Sequence, residues 1–377
     1  MRIGLVRLSH SHFGGAESFL KRFMAGLVDR GHRIDLFSTG WDEMAGVTVH
    51  RVSAGGPRFL RPLLFAMNAA DAIERARPDV VISLERTWTQ DIYRAGDGCH
   101  REWLIRKALF SPWWRRLSTR LNPLHIVLLY LEKRLFESAR LKKVVANSEM
   151  VRADILRHYD IPPDKITVIR NGIDEAAFFG TAKEAGLRAE LGIDEKEIML
   201  LFVGSGFERK GLMHAIRALP LLKGDVRVRL VAVGKGGTGS YEREAKRLGV
   251  RDRVVFTGPR KDVARFYRAA DIFILPSIYE PFSNACLEAL SAGLPVITTR
   301  ANGFSEIVAE GVTGAVVEDP SDALDVASAI GLFLDPSSRE RARDACEKEA
   351  GRYTMEKTVG AFLRLVDEVL PALGKDA

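Results

Sequence analysis

The sequence predicts an α/β chain made of two halves, each a parallel sheet covered by helices. Three observations carry this. Short apolar runs alternate with helix-period stretches from end to end, the pattern of parallel sheets with helices on their faces. The alternation restarts after Arg170-Asn171-Gly172-Ile173-Asp174. The length, 377 residues, leaves room for two domains.

In chain order, residues 3–8 are an apolar strand, and Gly14-Gly15 breaks the chain before a helix over 17–30. Gly31 stops that helix ahead of a strand at 33–38, and 79–83 and 143–147 extend the same sheet. In the second half, 197–203 is a strand, 212–222 a helix and 226–233 a strand. Residues 253–256, 272–275 and 296–299 continue that sheet. Residues 355–373 have a helical period. The boundary falls near Asn171, with domains over 1–170 and 171–355.

Composition narrows the function classes. The net charge of +7 favours an acidic partner, whether nucleic acid, anionic lipid or a phosphorylated glycan. The three cysteines, Cys99, Cys286 and Cys346, lack metal spacing and point to a reducing compartment. The apolar start is too short for a secretory signal, and no apolar run reaches membrane-spanning length. A cytoplasmic protein is expected.

The most informative chemistry lies between residues 272 and 295. An apolar strand leads to Glu280, and Ser283 or Asn284 can cap a helix that ends before Gly293 and Pro295. Glu288 then falls about two turns into that helix. The first acid is expected at the mouth of a crevice and the second along its wall. The helix start offers unpaired N–H groups to an anion. Acids on both sides of an anion seat suit hydroxyls flanking phosphates, as in a nucleotide sugar. Upstream, Gly204, Gly206, Arg209, Lys210 and Gly211 run from strand into helix. Glycines there let the backbone approach a ligand, and Arg with Lys can grip a pyrophosphate. A P-loop would need Ser or Thr where Leu212 stands, and a dinucleotide fingerprint would need glycine in place of Arg209. No Asp-x-Asp arrangement for a metal is seen.

The E-x7-E segment, together with Gly14-Gly15-Ala16-Glu17, Arg170-Asn171-Gly172-Ile173-Asp174, Arg209-Lys210-Gly211 and Gly293-Leu294-Pro295-Val296, resembles the retaining glycosyltransferases of family 4. The resemblance covers nearly the whole chain. Residues 91–99, around Asp97, and the basic segment after them are most similar to lipopolysaccharide core glucosyltransferases. The resemblance implies the GT-B fold, two Rossmann-like domains facing across a cleft that holds the ligand, with 356–377 packing back on the first domain. It implies that Glu280 binds the donor sugar and Glu288 the ribose. Phe282, Ser283 and Asn284 would offer donors to the sugar and phosphates. Gly14 and Gly15 would leave room for substrate, and Gly204, Arg209 and Lys210 would hold the diphosphate. No permanently bound cofactor and no metal are implied; UDP-glucose is the implied donor and a lipid-linked glycan the acceptor. Asp97 resembles a residue near the acceptor site, with His100 competing for its role. Asp97 in Gly-Asp-Gly is equally a turn former, and Glu17 is favourable at any helix start.

Residues 100–120 carry Arg101, Arg106, Lys107, Arg115, Arg116 and Arg120 against one acid, Glu102, interleaved with Trp103, Phe110, Trp113 and Trp114. An anionic membrane surface is the expected partner. The alternatives are a helix with its aromatics turned inward, or nucleic acid, for which no motif is present. The protein is expected to sit peripherally at the inner face of the cytoplasmic membrane. A nucleotide-sugar epimerase and a non-catalytic nucleotide-sugar-binding protein are the competing functions.

Overall fold

The structure is a computed structural model describing residues 1–8, 15–173, 184–224 and 227–373. It has two compact units: Met1–Gly172 with the C-terminal segment from Met355, and Ile173–Thr354. Gly14 lies outside the described residues.

The first unit runs β1 (Arg2–Val6), α1 (Gly15–Val28), β2 (Arg33–Ser38), β3 (Val47–Arg51), α2 (Arg61–Ala76), β4 (Val80–Ser83) and β5 (Ile92–Ala95). Then follow α3 (His100–Leu109), α4 (Trp113–Leu121), α5 (Pro123–Phe136), β6 (Lys143–Ala146), α6 (Glu149–His158) and β7 (Ile166–Val168). All seven strands are parallel, in the order β3-β2-β1-β4-β5-β6-β7. The central strands are buried on both faces, which is why β1 and β4 read as continuous apolar runs rather than alternating ones.

The second unit runs α7 (Ala185–Glu190), β8 (Ile198–Val203), α8 (Phe207–Lys210), α9 (Leu212–Ala218), β9 (Val228–Val233), α10 (Gly239–Arg247), β10 (Val254–Gly258), α11 (Val263–Ala269) and β11 (Ile272–Leu275). It continues with α12 (Asn284–Ser291), β12 (Val296–Thr299), β13 (Gly314–Val317), α13 (Ala323–Gly331) and α14 (Pro336–Ala350). Its sheet is also parallel, ordered β10-β9-β8-β11-β12-β13. The chain steps outward from β8 to β10, then returns to β11 on the other side of β8. That reversal opens a crevice beyond the carboxyl ends of β8 and β11, where ligands bind in such sheets.

The last helix, α15 (Met355–Leu373), belongs to the first unit. Val359, Phe362, Leu365, Val366 and Val369 form a helical stripe buried in its core. Phe362 meets Phe23 of α1 edge-on, with ring centroids 4.8 Å apart. A side chain at Gly26 would collide with Val359, so the glycine permits the close approach of α1 and α15.

A buried carboxylate joins the helices after β5 to the sheet. Glu132 of α5 accepts from the His100 and Arg101 amides at 2.7 and 3.1 Å, capping α3. It also accepts from Arg86 Nε at 3.1 Å and from the Tyr159 hydroxyl at 2.6 Å. Burial alone would raise its pKa, but Arg86, Tyr159 and the amides hold it below the usual carboxylate value. Glu132→Ala would leave Arg86 buried and unpaired, a loss of about 3–5 kcal/mol for such pairs. Urea unfolding of the variant should show a lower midpoint and a loss of unfolding free energy of that size, with Glu132→Gln intermediate. A wild-type midpoint would place the anchor of α3 elsewhere.

Candidate functional site

The crevice at β8 and β11 is shaped by glycines and filled by charge. Beyond β8 the backbone at Gly204 has φ +154, and the Lys210 side chain occupies the space a Cβ would need there. Gly211 has φ +80, and a Cβ would strike the Pro276 carbonyl oxygen. Because both positions are glycine, α8 lies directly against the loop after β11. The Ile278 amide donates to the Arg209 carbonyl at 2.9 Å, and Arg209 Nη1 donates to the Tyr279 carbonyl at 3.1 Å.

Glu280 sits where these segments meet. Its amide donates to Ala301 O and its carbonyl accepts from the Gly303 amide, both at 2.9 Å. The buried Asn302 braces that loop, donating to Thr298 Oγ1 at 2.9 Å and accepting from the Phe304 amide at 3.0 Å. Glu280 Oε2 lies 2.9 Å from Arg209 Nη1 and 3.1 Å from Lys210 Nζ. These are ion pairs rather than aligned hydrogen bonds. The residue is only 7% exposed, so it is deeper than the crevice mouth expected for it. Burial pushes its pKa up, yet Arg209 and Lys210 more than offset this and hold it below the usual value. The two cations are what allow a charged carboxylate to lie so deep.

Helix α12 begins at its Ser283 cap, whose side chain accepts from the Cys286 amide at 3.2 Å. Gly293, with φ +73, ends it. Phe282 is buried with its ring 5.7 Å from that of Phe304, so its side chain serves the core and only its backbone is left for a ligand. Asn284, the first helical residue, is half-buried. Glu288 is half-buried as well and accepts from the Tyr267 hydroxyl at 2.8 Å. Burial, and then Glu288, pushes the Tyr267 pKa well above the ordinary value, so the phenol remains a donor.

In the first unit the strand order reverses between β1 and β4. Arg7, just past β1, pairs with Glu17 of α1 at 3.3 Å and with Glu85, just past β4, at 3.2 Å. Glu85 also accepts from the Leu8 amide at 3.1 Å. Burial raises the Glu85 pKa, with Arg7 opposing. Gly15 is the first residue of α1. Asp97 is exposed in the turn after β5, and Gly98 there has φ +72. Beside it Arg94 is buried, donating to Asn171 Oδ1 at 2.6 Å and lying 3.9 Å from the Phe19 ring centre. Burial lowers its pKa to about 10, against the pull of Asp97. His100 is buried, its Nε2 3.2 Å from His125 Nδ1.

Arg7, Glu85 and Arg94 were not singled out from the sequence. Arg7 follows β1 and Glu85 closely follows β4, as Glu280 follows β11.

The sequence matches the family described as Glycosyl transferases group 1 over residues 184–350 and Glycosyltransferase Family 4 over residues 13–177. The chain belongs to the group 1, family 4 glycosyltransferases. It is 28% identical to the lipopolysaccharide glucosyltransferase WaaG of Escherichia coli K12 over 321 residues, covering 82% of this chain and 83% of the relative. The solved structure of WaaG superposes with a TM-score of 0.82 at 24% identity, covering 95% of this chain and 98% of that one. Anabaena HepE in complex with UDP-glucose gives 0.74 at 19%, covering 97% and 99%. The glycosyltransferase thus has the GT-B fold, two Rossmann-like domains. Among the described residues no group of three or more His, Cys, Asp or Glu could hold a metal.

Two histidines shielded from water, His100 and the half-buried His214, predict an acid sensitivity for this glycosyltransferase. Burial, and then Arg86, lowers the His100 pKa from 6.5 to about 3. Burial lowers that of His214 to about 4. Between these values and 6.5 the unfolded chain binds more protons than the folded one. The stability contributed by the neutral rings is therefore complete above about pH 6.5 and is lost as pH falls toward 3. Urea midpoints should decline from pH 7 to pH 5, and His100→Gln should make the decline shallower. An unchanged slope would assign the sensitivity to other groups.

Proposed function

We propose that this glycosyltransferase moves a hexose, glucose from UDP-glucose, onto a lipid-linked glycan of the lipopolysaccharide core, with retention of anomeric configuration. The observation that carries the reading is the Glu280, Arg209 and Lys210 cluster at the strand-order reversal of the second unit. Two fixed cations there suit a diphosphate, and an adjacent carboxylate suits sugar hydroxyls. Similarity to WaaG supports glucose and the core acceptor, and the UDP-glucose complex of HepE supports the donor.

In the proposed reaction the bond between the anomeric carbon and the phosphate oxygen breaks while the acceptor oxygen attacks from the same face. The leaving phosphate takes the acceptor's proton. Arg209 and Lys210 stabilise the charge that develops on the diphosphate, and Glu280 positions the sugar. Glu288, oriented by Tyr267, binds the ribose hydroxyls. The backbone around Phe282, Ser283 and Asn284 lines the donor. Gly14 and Gly15 make room for substrate, and Asp97 faces the acceptor. The buried, neutral His100 supports the turn that carries Asp97.

We further propose that α3 and α4 rest on an anionic membrane surface, making the enzyme peripheral at the inner leaflet. Among the described residues no helix is long and apolar enough to cross a membrane. Trp113 is 76% exposed and Trp114 53%, with Leu117 and Leu121 equally open on the same short helix. The tryptophans are not turned inward, and Arg115 stacks on the Trp114 ring. Such a surface suits the headgroup boundary, where each basic residue contributes about 1 kcal/mol.

A thermal-shift screen of UDP-, GDP- and ADP-sugars should give its largest shift with UDP-glucose. Glu288→Ala should raise the donor Kd at least tenfold. Glu280→Ala and Arg209→Ala should lower kcat by about 10²–10³-fold, the size seen when one charge-stabilising donor is lost. Wild-type turnover in these variants would refute the assignment.

Sedimentation with anionic vesicles should be strong at low salt and weak at high salt. Joint replacement of Trp113, Trp114, Arg115 and Arg116 by Ala should abolish it. Unaltered binding would move the anchor to another surface.

A further inference from the structure

Helices α3, α4 and α5 line a half-open cavity of about 350 Å³. Its wall is mostly aliphatic: Leu104, Ile105 and Ala108 from α3, with Ile126 and Leu129 from α5. Arg101, Arg116 and Arg120 line it as well. Apolar walls with a few convergent polar groups are the usual construction of a small-molecule site, and the volume is in the usual range.

The charge on this cavity is not cancelled locally. From residue 100 to residue 132 the acids are Glu102 and Glu132, and Glu132 is occupied by Arg86, Tyr159 and the α3 amides. Glu102 is the other. Its carboxylate is already taken by Arg106 at 2.8 Å, His158 at 2.8 Å and Arg157 at 3.5 Å. Arg116 Nε donates to the Ser111 carbonyl, which holds its guanidinium on the cavity without neutralising it. The site therefore pairs an aliphatic interior with unneutralised arginines, complementary to an anionic amphiphile. It is also continuous with the exposed face of α4, since Arg116 and Arg120 lie on the helix that carries Trp113 and Trp114.

We propose that this cavity takes one acyl chain of an anionic membrane phospholipid, whose phosphate is gripped by Arg101, Arg116 and Arg120. Surface adsorption through the tryptophans brings the protein to the leaflet. The captured chain then holds the α3–α5 segment at a fixed depth and orientation. The inference rests on the membrane reading of α4 and is independent of the sugar transferred.

The test is calorimetric titration of the full chain with monomeric lysophosphatidylglycerol below its critical micelle concentration. Lysophosphatidylcholine and glycerol phosphate are the controls. Lysophosphatidylglycerol should bind at least tenfold more tightly than either. Its Kd should tighten about three- to fourfold per added methylene until the cavity is full, as burial of a CH₂ group predicts. Ala108→Trp, which fills the cavity, should abolish this binding while donor binding stays unchanged. Should that variant fail to fold, Arg101→Glu with Arg120→Glu should remove the preference for the anionic headgroup. Trp113→Ala with Trp114→Ala should lose vesicle sedimentation yet keep lysolipid binding, so the surface reading and the cavity reading can fail separately. Equal affinity for both headgroups, no dependence on chain length, or binding that survives Ala108→Trp would each overturn the proposal.

Discussion

A carboxylate that stays charged while buried governs the second unit. Removing an ion such as Glu280 from water costs several kcal/mol even after relaxation, unless opposite charge is close by. Arg209 and Lys210 supply that charge from α8. They reach it only because Gly204 leaves room for the lysine chain and Gly211 lets α8 approach Pro276. The glycines, the cations, the acid and the β12 loop that clamps its backbone are therefore a single construction. A change at any of them is felt at the others. The same cations that keep Glu280 ionised carry the positive charge in this crevice. On the proposed reading an arriving diphosphate shares them with Glu280, so that one set of side chains meets both a phosphate and a sugar hydroxyl.

The first unit repeats the strand order with the opposite balance of charge. At its reversal between β1 and β4, one cation, Arg7, stands between two acids, Glu17 and Glu85. Two acids around one arginine repel a diphosphate but offer hydrogen-bond acceptors to a neutral polyol. An arginine and a lysine around one acid leave a net positive charge that attracts a diphosphate. On the proposed reading the donor goes to the second unit and the acceptor to the first, as this electrostatic contrast favours. Glu132 also acts on the turn that follows β5. By capping α3 and binding Arg86, whose Nη2 donates to the Gly98 carbonyl at 3.1 Å, it steadies the turn that carries Asp97.

Most of the sheet framework is legible in the sequence because central parallel strands are apolar on both faces. Residues 33–38, 272–275 and 296–299 match β2, β11 and β12. Ser283 and Asn284 both signal the start of α12 by their chemistry, and the structure makes Ser283 the cap. Strand β5 is not legible. It has four residues, and Arg94 interrupts its apolar character, buried there only because Asn171, Phe19 and the adjacent glycine accommodate it. Strand β3 is partly exposed along its length and so lacks a continuous run. Partnerships are the least legible feature. That Glu280 answers to Arg209 and Lys210, Glu288 to Tyr267, and Arg7 to Glu85 depends on which strand ends the topology brings together. Phe282 shows the same limit in reverse, since its place in the core is set by Phe304 rather than by its neighbours in the chain.

In the segment after β5 local and global preferences disagree. A folded chain gains from burying tryptophan and from alternating its charges. Residues 113–121 do neither: their aromatic and aliphatic side chains are exposed, and their charges are all positive. Packing of α3, α4 and α5 does not consume this surplus, because the cavity among them is itself lined by arginine. Self-repulsion among the cations destabilises the segment when it is isolated in water, and an anionic surface reverses the sign of that term. On the proposed membrane reading, the conflict is relieved by an environment in which apolar matter and negative charge occur side by side at a boundary.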